Sequence, residues 1–296
     1  MTMTSDGYLT TDDGVRLYFQ CIGKGPAALI VPNGPPFVDS FQTLSATHTI
    51  IAFDARNRGR SSRVTDPDRL NRALELEVDD IEAVRRYFDF ETIDLLGHSY
   101  AGIIVVLYAM RHASRVGRII QLAPPGPNGG ITYPLEDPAD AAVLQTVLER
   151  IGTLAAESSG DPEEQCRRFW NALRPLYVVN ACDVSKLDGF QRCGLETERS
   201  AFQHFSTHLV PQLHALSLGP DRLAQVLTPV LTIHGRRDRS APFAAGCAWV
   251  RGLPNARLLS VENAGHLPWI EAPEEVLDAA VTFLAGEWPA AAVEVF

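Results

Sequence analysis

Residues 93–110 constrain the fold of this chain more than any other stretch. A short apolar run (Ile93, Leu95, Leu96) ends at Gly97, and an apolar segment of helical length runs from Ile103 to Met110. Read as strand, tight turn and helix, Gly97-His98-Ser99-Tyr100-Ala101-Gly102 places Ser99 at the apex of the turn, with its hydroxyl clear of the sheet. Strand and helix approach closely there, so small residues are needed on both sides. Gly97 and Gly102 meet that need, while Ala101 stands where a second glycine is usual and adds one methyl group. A G-x-S-x-[GA] match arises by chance in roughly one chain in five of this length, so its weight depends on context.

The flanking sequence supplies that context. Val15 to Cys21 alternates like a half-buried strand, and Ala27 to Val31 is a continuous apolar run, as in a strand covered on both faces. Thr49 to Phe53, Val116 to Leu122, Val230 to His234 and Ala256 to Val261 read as further strands. Between them, Leu74, Val78, Ile81, Val84, Tyr87 and Phe88 have the spacing of an amphipathic helix, and helices are also expected at Phe243 to Val250 and Glu274 to Leu284. The β-branched cluster Ile103 to Val106 favours a strand locally, so the helix expected after Ser99 must be imposed by burial. Strands alternating with helices imply an α/β fold with a mostly parallel, doubly wound sheet.

The rhythm breaks after Ala123-Pro124-Pro125-Gly126-Pro127. Residues 128–221 show helical patterns and no clear strand, which predicts a helical cap inserted into a core made of 1–127 and 222–296. Such an insertion covers the carboxyl ends of the strands, where ligands bind in sheets of this kind. Its aromatic residues Phe169, Trp170, Tyr177, Phe202 and Phe205, with Trp269 of the core, are the candidate pocket lining. His204 and His208 stand four apart, but no Glu or Cys accompanies them, so no metal site is expected. Pro289 to Phe296 reads as a loose tail.

Composition narrows the function. A chain of 296 residues buries enough surface to fold without a metal or disulfide staple. Its net charge of −10 speaks against nucleic-acid binding, which requires a basic face. The five cysteines lack C-x-x-C spacing and are expected as free thiols in a reducing compartment. The polar start (Met1 to Gly14) carries no secretory signal pattern, and no apolar run is long enough to span a membrane. The expectation is a cytoplasmic protein acting on a small molecule, with its oligomeric state unread.

Ser99, Asp238 and His266 each follow a predicted strand end, in the order Ser, Asp, His. A serine hydroxyl needs a base, which His266 would supply; Asp238 would fix the imidazole tautomer and stabilise the imidazolium. Activity should then fall below about pH 6, where a histidine base protonates. In Pro32-Asn33-Gly34-Pro35-Pro36 only Asn33 and Gly34 have a backbone N–H. The expected oxyanion donors are therefore Tyr100 and Gly34, with Asn33 next. No cofactor and no metal are required.

These residues resemble the α/β-hydrolase fold superfamily over essentially the whole chain. The likeness is carried by GHSYAG (97–102), HGRRD (234–238), GHLPWIEAPEEV (265–276) and DARNRGRSS (54–62), which is similar to that superfamily's D-x-R-G-x-G-x-S loop. PNGPP (32–36) and APPGP (123–127) resemble the proline iminopeptidase branch, with Pro32, Asn33 and Asn57 departing from its pattern. The resemblance implies a serine hydrolase that cleaves a small ester, lactone or amide through an acyl-enzyme. It also implies an alternative: an iminopeptidase-like enzyme that binds a free amine through cap acids such as Glu163, Glu164, Glu196 or Glu198. A serine at the elbow argues against epoxide hydrolases and haloalkane dehalogenases, which carry Asp there. A binding protein on the same fold, and a lyase or C–C bond hydrolase using the same serine, are the remaining readings.

Overall fold

The computed structural model describes residues 4–157 and 160–296; Met1 to Met3, part of the polar N-terminal stretch read above, lie outside the described residues. Its centre is an eight-stranded sheet made of β1 (Thr4–Thr10), β2 (Arg16–Ile22), β3 (Ala27–Pro32), β4 (His48–Phe53), β5 (Ile93–His98), β6 (Val116–Leu122), β7 (Val230–Gly235) and β8 (Ala256–Val261). The spatial order is β1-β2-β4-β3-β5-β6-β7-β8; β1 and β2 are antiparallel to their neighbours and the rest run parallel. The carboxyl ends of β3 to β8 therefore share one edge, and every predicted strand is present.

Helices cover both faces. One buried cluster joins α1 (Ala73–Tyr87) and α2 (Ala101–Arg111) to Ile30, Ile51 and Leu95. A second, on the opposite face, gathers Leu29, Ile50, Leu96 and Leu231 under Val276 and Phe283. In α2, Ile103, Ile104, Val105 and Val106 are all buried. Their β-branched chains give up at most ~0.7 kcal/mol each in helix propensity. Burial returns roughly 1.5–3 kcal/mol each, so packing decides the conformation.

Between β6 and β7 the chain makes an all-helical excursion. It contains α3 (Pro138–Ala156), α4 (Pro162–Tyr177) and α5 (Glu196–His204), with a small core of its own formed by Val147, Leu173 and Leu176. Asp137 and Asp161 cap α3 and α4, each accepting from the N–H two residues on, and a proline follows each cap. The excursion leaves and returns at one point, where Asn128 and Ser217 form an isolated bridge. Among the described residues, no helix is long and apolar enough to cross a membrane.

Three expectations need correction. Strand β1 was not foreseen: TSDGYLT is polar because it forms the edge of the sheet, held by β2. The tail is not loose, since Val293 exchanges backbone hydrogen bonds with Leu258 on β8 at 2.8 and 2.9 Å and Ala292 is buried. The cysteines are not all free, because Cys166 on α4 is bonded to Cys193, whose Cα lies 5.7 Å away. With two of five bonded, cysteine usage no longer points to a reducing compartment.

Four consecutive parallel strands end in a residue or loop with left-handed backbone. Asn33 (φ 56°) follows β3, Asn57 (φ 63°) lies in the loop after β4, Ser99 (φ 55°) follows β5 and Ala123 (φ 47°) follows β6. Asparagine tolerates this region better than most residues, which explains how Asn33 and Asn57 stand where glycines are usual.

Candidate active site

Ser99 occupies the turn between β5 and α2, its N–H bonded to Leu122 O at 2.9 Å and its carbonyl accepting from Gly102 N at 2.8 Å. Gly97 is indispensable to that turn, because a Cβ there would lie 2.4 Å from Ala101 O. The positive φ at Ser99 is strain of about 1–3 kcal/mol, held by these bonds and by the buried helix behind them.

The loops after β7 and β8 bring Asp238 and His266 together. His266 Nδ1 lies 2.8 Å from Asp238 Oδ2, and both side chains are almost wholly buried. Asp238 Oδ1 accepts from Ser240 N and Ala241 N at 2.8 Å each, and His234 Nε2 approaches Oδ2 at 3.3 Å. Burial pushes the Asp238 carboxyl up, but the His266 charge and the hydrogen bonds from His234 and His266 outweigh it and hold the group well below the usual range. In the neutral ring, an Nδ1–H donated to Asp238 leaves Nε2 to accept. His98 ties the histidine to the elbow: its Nε2 donates to His266 O at 3.1 Å and its ring centroid lies 4.7 Å from that of His266.

The oxyanion expectation changes in one respect. The Gly34 N–H is committed to Val31 O at 3.2 Å, because the loop turns back on β3 directly after Asn33. Tyr100 N–H and Asn33 N–H make no backbone hydrogen bond among the described residues. Their loops are joined through the side chains, with Asn33 Nδ2 donating to Tyr100 Oη at 2.5 Å. Asn33 Oδ1 in turn accepts from Ala55 N at 3.1 Å.

Most of the proposed pocket aromatics form one line. Phe202, 46% exposed, meets Phe169 at 4.2 Å between centroids; Phe169 meets Trp170 at 6.5 Å and Trp170 meets Tyr177 at 6.1 Å. Tyr177 then stacks on His266 at 5.5 Å. Phe205 packs on Tyr100 at 5.3 Å. Trp269 is 2% exposed and lies between His98 (4.7 Å between centroids) and Phe41 (5.8 Å).

The loop after β4 carries charges that are paired within the fold. Arg56 is buried against Asp80 (2.6 Å) and Asp13 (2.9 Å), Arg58 meets Glu198 of α5 at 3.3 Å, and Asp54 receives Arg192 at 2.6 Å. Sequence reading missed these pairs because the partners lie 24 to 140 residues apart. The acids considered for amine binding are likewise engaged: Glu163 and Glu164 with Arg167, Glu196 with Arg63, and Glu198 with Arg58 and Gly59 N. His204 lies 3.3 Å from the Asn57 amide, and burial pushes its imidazole down to about 4. Among the described residues no group of three or more His, Cys, Asp or Glu could hold a metal ion.

Comparison with known proteins shows the family and the fold. Residues 28–279 match the model of an alpha/beta hydrolase family. The chain is 27% identical over 273 residues to a 2-hydroxymuconate semialdehyde hydrolase of Pseudomonas putida, covering 89% of this chain and 85% of that one. It is 24% identical over 259 residues to a 2-hydroxy-6-oxononadienedioate/2-hydroxy-6-oxononatrienedioate hydrolase of Cupriavidus pinatubonensis, covering 86% and 82%. Among solved structures, a serine hydrolase from the polyaromatic hydrocarbon-degrading bacterium Cycloclasticus zankles superposes with a TM-score of 0.76 at 16% identity, over 96% of this chain and 99% of that one. That likeness is one of fold. The iminopeptidase branch suggested by PNGPP is not among the names of these relatives.

Proposed function

Because the chain belongs to the alpha/beta hydrolase family, we propose that it is a serine hydrolase in which Ser99, His266 and Asp238 form the catalytic triad. The observation that carries this reading is the 2.8 Å contact between His266 and the buried Asp238, with the histidine tied through His98 to the strained turn that carries Ser99. Ser99 attacks the substrate carbonyl as His266 Nε2 takes the hydroxyl proton, and Asp238 stabilises the imidazolium. The developing oxyanion is met by Tyr100 N–H and Asn33 N–H, donors of a kind worth ~3 kcal/mol each. His266 then returns the proton to the leaving group, and water attacks the acyl-enzyme by the reverse route.

The excursion 128–221 acts as a cap over the strand ends. Support comes from Tyr177 on His266, Phe205 on Tyr100 and the Arg58–Glu198 and Arg192–Asp54 pairs between it and the core. The line from Phe202 to Tyr177 suits a small ester, lactone or amide with an apolar acyl group. A second reading, favoured by the names of the relatives, is hydrolysis of an oxo acid of the kind for which they are named. The paired cap acids argue against capture of a free amine.

The test sets p-nitrophenyl butyrate, 2-hydroxymuconate semialdehyde and L-proline p-nitroanilide side by side, with Ser99→Ala as blank. Turnover of the first alone supports the esterase reading, and turnover of the second the oxo-acid reading. Release from the third would overturn the argument from paired acids. Activity that survives in Ser99→Ala would overturn the triad. Failure of the wild type to turn over any substrate or to take up a fluorophosphonate would favour a binding protein.

A further inference from the structure

One short segment of the excursion, residues 175–180, touches both loops that carry Asp238 and His266. Arg239, next to Asp238, donates from Nη1 to the carbonyls of Pro175 (2.8 Å) and Val178 (3.2 Å), and from Nε to the buried Asp140 (2.6 Å). On the other loop, Leu267 N–H donates to Tyr177 O at 3.1 Å, and the Tyr177 ring lies on the His266 imidazole. Glu271 joins the two sides. Its Oε2 accepts from Gly265 N at 2.6 Å. Its Oε1 accepts from Val179 N at 2.7 Å, Asn180 N at 3.1 Å and Asn180 Nδ2 at 3.3 Å.

We infer that Glu271 is a positioning residue, which sets His266 against Asp238 by fixing Gly265 to the segment that Arg239 also grips. The inference rests on the reading of Ser99, His266 and Asp238 as a triad. Gly265 has no side chain with which to anchor the histidine loop, and a Cβ there would come within 3.2 Å of Tyr177 O. Its backbone thus lies directly on the segment, and the carboxylate beside it is the bond that holds it. A carboxylate offers each oxygen to a different strand of chain, and bonds from N–H to an ionised acceptor are roughly twice as strong as neutral ones. An amide at 271 keeps the shape but retains one acceptor, so it serves one side only. The aspartate and histidine loops are thereby referenced to a common support, and their separation is fixed independently of the contact between imidazole and carboxylate.

The experiment measures steady-state turnover of p-nitrophenyl butyrate and the rate of Ser99 labelling by a fluorophosphonate, in full-length Glu271→Gln and Arg239→Lys and in the double variant. Glu271→Gln should lower kcat and the labelling rate about 10- to 100-fold with KM within about twofold, the pattern of a misplaced catalytic group. If both residues act through one separation, the double variant is little slower than the slower single variant. Labelling of folded Glu271→Gln at the wild-type rate, a loss confined to KM, or fully additive effects would each overturn the inference. Should Glu271→Gln fail to fold, Arg239→Lys carries the same comparison. A wild type that takes up no label at all brings down the triad itself, a result distinct from the others.

Discussion

The side-chain amide of Asn33 donates to the hydroxyl of Tyr100 at 2.5 Å, which fastens the loop after β3 to the loop after β5. In the proposed mechanism the two residues also supply the oxyanion donors, so that one side-chain bond would set the distance between them. Tyr100→Phe removes the hydroxyl and strands the Asn33 amide. The expected outcome is a kcat about 10-fold lower with KM nearly unchanged, since only the transition state uses both donors. Steady-state kinetics on p-nitrophenyl butyrate checks it.

Ser99 sits at φ 55°, a conformation that glycine adopts without strain. Ser99→Gly should therefore abolish turnover while raising stability by about 1 kcal/mol, read as a higher melting temperature. A melting temperature below that of Ser99→Ala would contradict the strain argument.

Glu77, on the face of α1 turned toward the core, is buried with Oε1 unpartnered among the described residues. Burial and the neighbouring Asp80 charge push its carboxyl up to about 8, against 4.5 for the ordinary group. Between those values the folded chain holds a proton that the unfolded chain has released. Stability from this group is therefore complete below about pH 4.5 and falls as pH rises toward 8, by a total on the order of a few kcal/mol. Glu77→Gln should flatten that slope and be the more stable protein at pH 8. Parallel melting curves of the two proteins from pH 5 to 9 would sink the prediction.

The bond between Cys166 and Cys193 spans 27 residues of the excursion. Closing such a loop constrains the unfolded chain by about 3–4 kcal/mol. The double variant Cys166→Ser, Cys193→Ser should lose stability of that order in a urea titration. Because Cys193 adjoins Arg192, which holds Asp54 at 2.6 Å, activity should fall with it.

Much of this architecture is legible in the chain itself. Buried parallel strands must be apolar on both faces, so β3 to β8 announce themselves, and the elbow follows from glycines that leave room for a close approach. Features that depend on distant partners are not legible. Glu271 reads as one more acid in a helix start until Gly265 and Val179 are seen around it. The partners of Arg56 and Arg58, Asp80 and Glu198, are brought to them only by the fold. The commitment of the Gly34 N–H likewise depends on Asn33 adopting a left-handed backbone, which the sequence permits without requiring.

The left-handed residues at the ends of β3 to β6 set thermal tolerance and activity against each other along one edge of the molecule. Glycine would relax the backbone at 33, 57 or 99. At each position it would also delete something in use: the amide on Tyr100, the amide that accepts from Val64, or the hydroxyl at the elbow. Selection for heat resistance alone would be expected to erode this edge first, and a variant recovered from such a selection would carry its gain and its loss in the same substitution.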